Sequence, residues 1–497
     1  MASASSAIAF SVFLCLLLLP PHLCDSYHAG RYARRSTHFV VRRSGDASES
    51  AAPATCSSIN SGVGDGKKLP LLHRMNPCSP LNAGGKQRSM SPAEVSHRDG
   101  RRLRSLFAAV QSGSGGDAAG AATPAPAPAS DGDSTVPTTG AAVASAPGFH
   151  DYTVVVGYGT PAQQLPMGLT TGLGVSLVRC TPCGAGAPCD DLAFDPSRSY
   201  TFAPVPCGSP DCRSNCSSSA SASWCPLTVP FLEGAVVRDV LTFTPSASVH
   251  DFTFGCVEGS SGGPAITPPS GAAGLLDLSR DSRSLASRLA GGTFSYCLPR
   301  STTSHGFLAM GDDDVPQNRR GRVTAVAPLV DCPALRNHYV VELAAVNLGG
   351  RDLPIPPAAA SATNATVLDT AISYTYLKPS AYALLRDAFR RDMARYPAAP
   401  AVGDLDTCYN FTGQPEVALP LINLRFGISG EILLLAPEQM LYQTEPNNFF
   451  SVACLAFAAL PSDDAPVSMV MGTLAQSSME VVHDVDGGKI AFIPGSC

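Results

Sequence analysis

Residues 366–376 read TVLDTAISYTY, and residues 168–178 read GLTTGLGVSLV. Both run through an apolar residue, one free position, a threonine and a small residue into a β-branched stretch, and Thr370 follows Thr171 by 199 positions. Later in each half an apolar pair precedes a turn, LLDLSR at 275–280 and MVMGTL at 469–474. Such an internal repeat predicts two similar β lobes that face each other, with Thr171 and Thr370 side by side where they meet. Asp369 is the one charge in its stretch. Taken alone, an aspartate there is a turn residue that bonds its own backbone.

The surrounding chain agrees with a mainly β body. Valine-rich runs alternate with Gly and Pro turns from His150 onward, and strand-like runs follow at 239–243, 251–256, 338–348, 431–437, 479–485 and 489–493. Two helices are predicted there. One is PSAYALLRDAFRRDMARY at 379–396, with Pro379 in its first turn and Leu385, Phe389 and Met393 on one face. The other is SRSLASRLAGG at 282–292, closed by Gly291.

Five segments divide the 497 residues. Residues 1–28 hold an apolar run too short to span a bilayer, which reads as a secretory signal. Residues 29–111 form a pro-segment, with a turn-rich stretch at 68–81 and a basic helix at 93–110. Residues 112–148, nearly all Gly, Ala, Ser, Thr and Pro, have too little apolar surface to order and read as a disordered linker. The lobes occupy 149–330 and 331–497.

Net charge is +5 before residue 149 and −11 after it, which excludes nucleic acid as a partner of the body and fits a basic arm covering an acidic surface. No later segment is long and apolar enough for a membrane, and a monomer is expected. Seventeen cysteines in a secreted chain predict disulfides. Thirteen follow residue 148, so one thiol is left over. Cys180-x-x-Cys183 lacks a matching Cys/His pair nearby, so neither a metal nor any other cofactor is expected.

The blocks HRMNPCSPL, GTPAQQLPM, CTPC, FGC, FSYCLP, DTCYNF, CLAFA and EVVHDVDGGKIAFIPGSC, in this order, resemble the pepsin-like aspartic peptidases, in particular the cysteine-rich plant branch related to nepenthesin. The resemblance implies a bilobal, pepsin-like double β-barrel with a few peripheral helices. It also implies six disulfides in the body, leaving Cys332 as the extra thiol. Each lobe of that family supplies an aspartate from an Asp-Thr/Ser-Gly turn; the two share one proton and hold the water that attacks a peptide carbonyl.

Here the second turn is Asp369-Thr370-Ala371, but the first is Thr170-Thr171-Gly172. Asp369 therefore takes a catalytic position while Thr170, a side chain that does not ionise near neutral pH, replaces its partner. Other departures from the pattern are Ala371 for glycine, Asp277 where Gly472 keeps the family residue, Leu177 for tryptophan, and a flap offering Phe231 and Glu233–Gly234 without the usual tyrosine.

Asp277 is either a replacement acid or a solvated loop residue paired with Arg280. His483 shows no Ser or Cys partner for a triad. Asn364, Asn410 and Asn215 sit in glycosylation sequons, the last beside Cys216. The expectation is a secreted protein of the cell exterior or vacuole that binds a polypeptide or an enzyme in its interlobe cleft, with impaired proteolysis. Some plant relatives of this architecture are xylanase inhibitors that lack the aspartic centre. The alternative is an active aspartic endopeptidase built on Asp369.

Overall fold

The computed structural model describes residues 37–497 except 44–55, 57–67, 83–89, 114–150, 182–191, 214–215, 217–223, 228–233, 245–246, 258–271, 290–291, 301–303, 312–324, 356–363, 428–430 and 446–447. The signal segment, the linker from 114 on, Cys183, Cys189, Asn215, Phe231, Glu233 and Gly291 thus lie outside the described residues.

Strands dominate, as the alternation of β-branched runs and turns predicts. A 13-stranded sheet carries the N-terminal lobe and the chain's last two strands, Met479–Asp484 and Lys489–Pro494. An 8-stranded sheet and a 4-stranded sheet build the C-terminal lobe. In both lobes the strand before the repeated turn pairs in parallel with a later strand. Gln163–Thr170 lies on Gly274–Asp277, and Ala365–Leu368 on Met469–Met471. The repeat is thereby realised as two matching ψ-like crossings.

The predicted helix forms at Pro379–Asp392 and buries Leu385 and Phe389, with Met393 buried just beyond it. The segment around 282–292 forms only a short 3-10 turn, Ala286–Arg288. Leu285, its N-terminal flank, is fully buried and its N–H reaches the carbonyl of Asp277, so tertiary contacts end the helix early.

The segment expected as a pro-segment is part of this architecture. Lys68–His73, expected as turns, is a strand that sits between Gly306–Met310 and Tyr152–Tyr158 in the large sheet. Leu69 and Leu71 alternate into the core there. His38–Arg42 pairs antiparallel with Glu416–Pro420. The basic helix, which we call α1, spans Pro92–Gly113 and opens with a capping box in which the Ser91 N–H and hydroxyl donate to Glu94 while the Glu94 N–H donates to Ser91 Oγ.

Among the described residues the disulfides are Cys56–Cys78, Cys180–Cys256, Cys207–Cys216, Cys212–Cys225, Cys297–Cys497 and Cys408–Cys454, and Cys332 is free. No helix among these residues is long and apolar enough to cross a membrane.

Candidate active site in the interlobe cleft

The two repeated turns meet as the repeat predicts. Thr171 Oγ1 and Thr370 Oγ1 are 3.4 Å apart, and the Thr370 N–H donates to Thr171 Oγ1 at 3.3 Å. Each hydroxyl also lies 3.5 Å from a carbonyl of the opposite lobe, Leu368 for Thr171 and Leu169 for Thr370. This reciprocal pairing fixes the residues that precede it, Thr170 and Asp369, on the floor between the lobes.

Asp369 is buried and fully engaged. The Ala371 N–H donates to Oδ1 at 2.7 Å, and Arg102 of α1 donates to Oδ2 through Nε at 3.0 Å and Nη2 at 2.9 Å. Burial alone would raise this carboxyl's pKa, but the Arg102 charge, the Ala371 N–H and His338 outweigh it and hold the group below its ordinary 3.8. Ala371 is not among the positive-φ residues, so the missing family glycine does not strain this turn. Among the described residues no second carboxylate contacts Asp369. Thr170 is buried, and its Oγ1 has no hydrogen-bond partner among the described residues.

Asp277 behaves as neither sequence reading supposed. It is fully buried rather than solvated, and Arg280 is not its partner. Its carboxylate accepts from the Leu173 N–H at 3.0 Å, the Gly174 N–H at 3.1 Å and Ser279 Oγ at 2.6 Å. The side chain thus braces the loop that follows Thr171-Gly172. Burial raises its pKa to about 6 against those bonds. The second lobe excludes any such side chain, because a Cβ on Gly472 would stand 2.1 Å from the Tyr374 carbonyl oxygen.

Two residues that sequence reasoning did not single out complete the site, Arg102 and His338. His338 is 7% exposed, and both of its ring nitrogens lack partners among the described residues. Burial first, then the Arg102 charge, lower its pKa to about 4 despite Asp369, so the ring is neutral. A Cβ on Gly172 would meet His338 Cδ2 at 2.6 Å, Nε2 at 2.7 Å and Arg102 Nη2 at 2.8 Å. We expect Gly172→Ala to destabilise the protein by about 1–3 kcal/mol through overpacking, and chemical denaturation reads this directly. His483, by contrast, is a core residue stacked on Phe294 at 4.4 Å and 9°.

α1 grips the body at two further points. Arg98 donates to both oxygens of Asp151 at 2.9 and 3.0 Å and also bonds Ser373 Oγ. Asp99 Oδ2 accepts from the N–H groups of Ser373 at 3.0 Å and Tyr374 at 3.1 Å. Arg98, Asp99 and Arg102 are all buried.

These contacts set a pH window. Burial would raise the Asp151 carboxyl too, but Arg98 outweighs it and holds Asp151, like Asp369, below 3.8. That part of the docking energy is present above 3.8 and is lost as pH falls through the depressed values. Burial pushes Asp99 up to about 7 against Arg98 and its N–H donors, so its part is present at acid pH and is lost as pH rises through about 7. In a chain nicked between 114 and 150, α1 should stay docked in mildly acid solution and loosen on either side. Amide hydrogen exchange over residues 92–108 measures it.

The family follows from comparison with known proteins. Residues 152–312 match the family model described as xylanase inhibitor N-terminal, and 338–494 match xylanase inhibitor C-terminal. An aspartyl protease family protein of Arabidopsis thaliana is 31% identical over 445 residues, covering 86% of this chain and 87% of its own length. The aspartic proteinase nepenthesin-1 of Nepenthes gracilis is 26% identical, covering 70% and 79%. Among solved structures, conglutin gamma from lupine seeds superposes with a TM-score of 0.54 at 20% identity, over 69% of this chain and 92% of its own, which supports the fold alone. The chain belongs to the plant pepsin-like aspartyl protease family.

Proposed function

We propose that the chain is a secreted pepsin-fold protein, kept as a pro-form by α1, whose cleft binds a polypeptide or an enzyme with little or no peptide-bond hydrolysis. One observation carries the reading: the Asp369 carboxylate meets an arginine and a peptide N–H, while Thr170 stands where the second acid would have to be. Without that acid no group gives a proton to the carbonyl oxygen while the Asp369 carboxylate takes one from the attacking water. Asp277 does not serve instead, since its bonds run to the loop after Thr171-Gly172 and to Ser279. The match to models described as xylanase inhibitor domains supports a binding role.

The destination we favour is the cell exterior or the vacuole, as a monomer. Asn410 is exposed and suits glycosylation. Asn364 does not, because its Oδ1 is buried and Thr366 of the same sequon is fully buried.

The alternative, an atypical endopeptidase using Asp369, draws support from α1 itself, since a helix whose buried Arg102 seals Asp369 suits a zymogen. The deciding assay incubates the α1-released chain with a denatured protein at acid pH. Peptide release should not exceed that of an Asp369→Asn variant. Asp369-dependent cleavage would overturn the binding reading.

A further inference from the structure

The occupant of the cleft floor describes the ligand the floor is built to hold. The Arg102 fork places Nε at 3.0 Å and Nη2 at 2.9 Å from Asp369 Oδ2, and Nη2 also donates to the Gly172 carbonyl at 3.2 Å. One guanidinium therefore satisfies a carboxylate and a carbonyl from opposite lobes. The His338 ring closes the same space: both it and Arg102 Nη2 approach the Gly172 Cα hydrogen side, and its nitrogens have no partner among the described residues. A neutral imidazole offers an acceptor that a guanidinium N–H can use and leaves no competing positive charge.

A paired-acid floor holds a shared proton and a water. This floor has one carboxylate, kept ionised, with no acid to share a proton. When α1 withdraws, the Asp369 carboxylate at the cleft floor loses its counter-ion, so whatever fills the cleft gains most by bringing a cation. An ammonium answers the charge at one point. Planar, forked donors answer the carboxylate and the Gly172 carbonyl together.

We propose that the cleft of the α1-released protein is an arginine-reading site, and that its polypeptide partner sets a guanidinium between Asp369, the Gly172 carbonyl and the His338 ring, where Arg102 sits in the pro-form. A second partner arginine one helical turn earlier meets Asp151, as Arg98 does. This rests on the binding reading above and names the chemistry of its partner.

The test uses the full chain carrying Arg102→Ala, which empties the pocket while Arg98 and Asp99 still hold the helix. Ethylguanidinium and ethylammonium are the probes, and calorimetry and the thermal midpoint are the readouts. Ethylguanidinium should bind Arg102→Ala about tenfold tighter than ethylammonium does. It should raise the variant's midpoint and leave wild type and Arg102→Ala/Asp369→Asn unmoved. Equal response to the two cations, or the same response in the double variant, overturns the proposal. If Arg102→Ala does not fold alone, recovery of folded protein on refolding with ethylguanidinium but not ethylammonium supports it, and equal recovery overturns it.

A labelled peptide of residues 90–113 and its counterpart with citrulline for Arg102 are then compared on the Arg98→Ala/Arg102→Ala full chain. Preference for the arginine peptide is the expected result, and equal binding overturns it. Cleavage of that peptide, followed in the same samples, bears on the absence of proteolysis alone, so the two ideas fail separately.

Discussion

Thr170→Asp in the α1-released chain is expected to raise acid-pH peptide hydrolysis by at least about 10²-fold over the natural chain. The cross-lobe threonine pair already fixes the backbone on both sides, and Thr170 Oγ1 has no bond to give up. A carboxylate at 170 supplies the second acid, and because like charges in contact cannot both ionise, one is held protonated and the other serves as base. The gain should sit near the bottom of the 10²–10⁴ range typical of one acid–base partner, since Leu177 and the flap still depart from the family. Initial rates on a quenched peptide, with Thr170→Asp/Asp369→Asn as control, measure it. No gain would place the defect elsewhere, in the flap or in the loop braced by Asp277.

Asp369→Asn or Arg102→Ala in the full chain should each cost about 3–5 kcal/mol, the usual penalty for leaving half of a buried ion pair. Both side chains are nearly inaccessible, at 1% and 5% side-chain exposure, so solvent does not screen the orphaned charge. The two losses should not add, because the double variant Arg102→Ala/Asp369→Asn buries no unpaired ion. Urea unfolding of the four proteins gives the cycle. Additive losses would mean that the pair contributes through packing rather than charge. The natural pair should also weaken as pH falls below 3.8 towards the lowered value at which Asp369 takes up a proton, so the cycle is measured at neutral pH and again in acid.

Much of the architecture was legible because it is written locally or repeated. The recurrence of Thr171 at Thr370 predicted a contact across the lobes that no spacing within either lobe implies. Intervals of four predicted the helix at Pro379–Asp392. The pro-segment strand was not legible: Lys68–His73 draws its hydrogen bonds from residues 306–309 on one side and 152–153 on the other, and a proline inside it reads as a turn. Arg102 and His338 escaped notice for a related reason, since an ion pair 267 residues apart leaves no local trace. The signal available was the spacing of Arg98, Asp99 and Arg102, which puts two cations and an anion on one helical face. For Asp277 the sequence allowed a loop acid or a replacement catalyst; only the backbone N–H groups it meets distinguish a brace from either.

Lys68–His73 also bears on the order of events in the life of the molecule. With Gly306–Met310 on one side and Tyr152–Tyr158 on the other, it is a middle thread of the fabric rather than a cover laid over it. Cutting the chain between 114 and 150 leaves that thread in place, so severing the peptide and freeing the groove are separate steps. Removing the segment would mean pulling a strand from between two neighbours and closing the seam with other backbone, a re-weaving of the molecule rather than a trimming of its end.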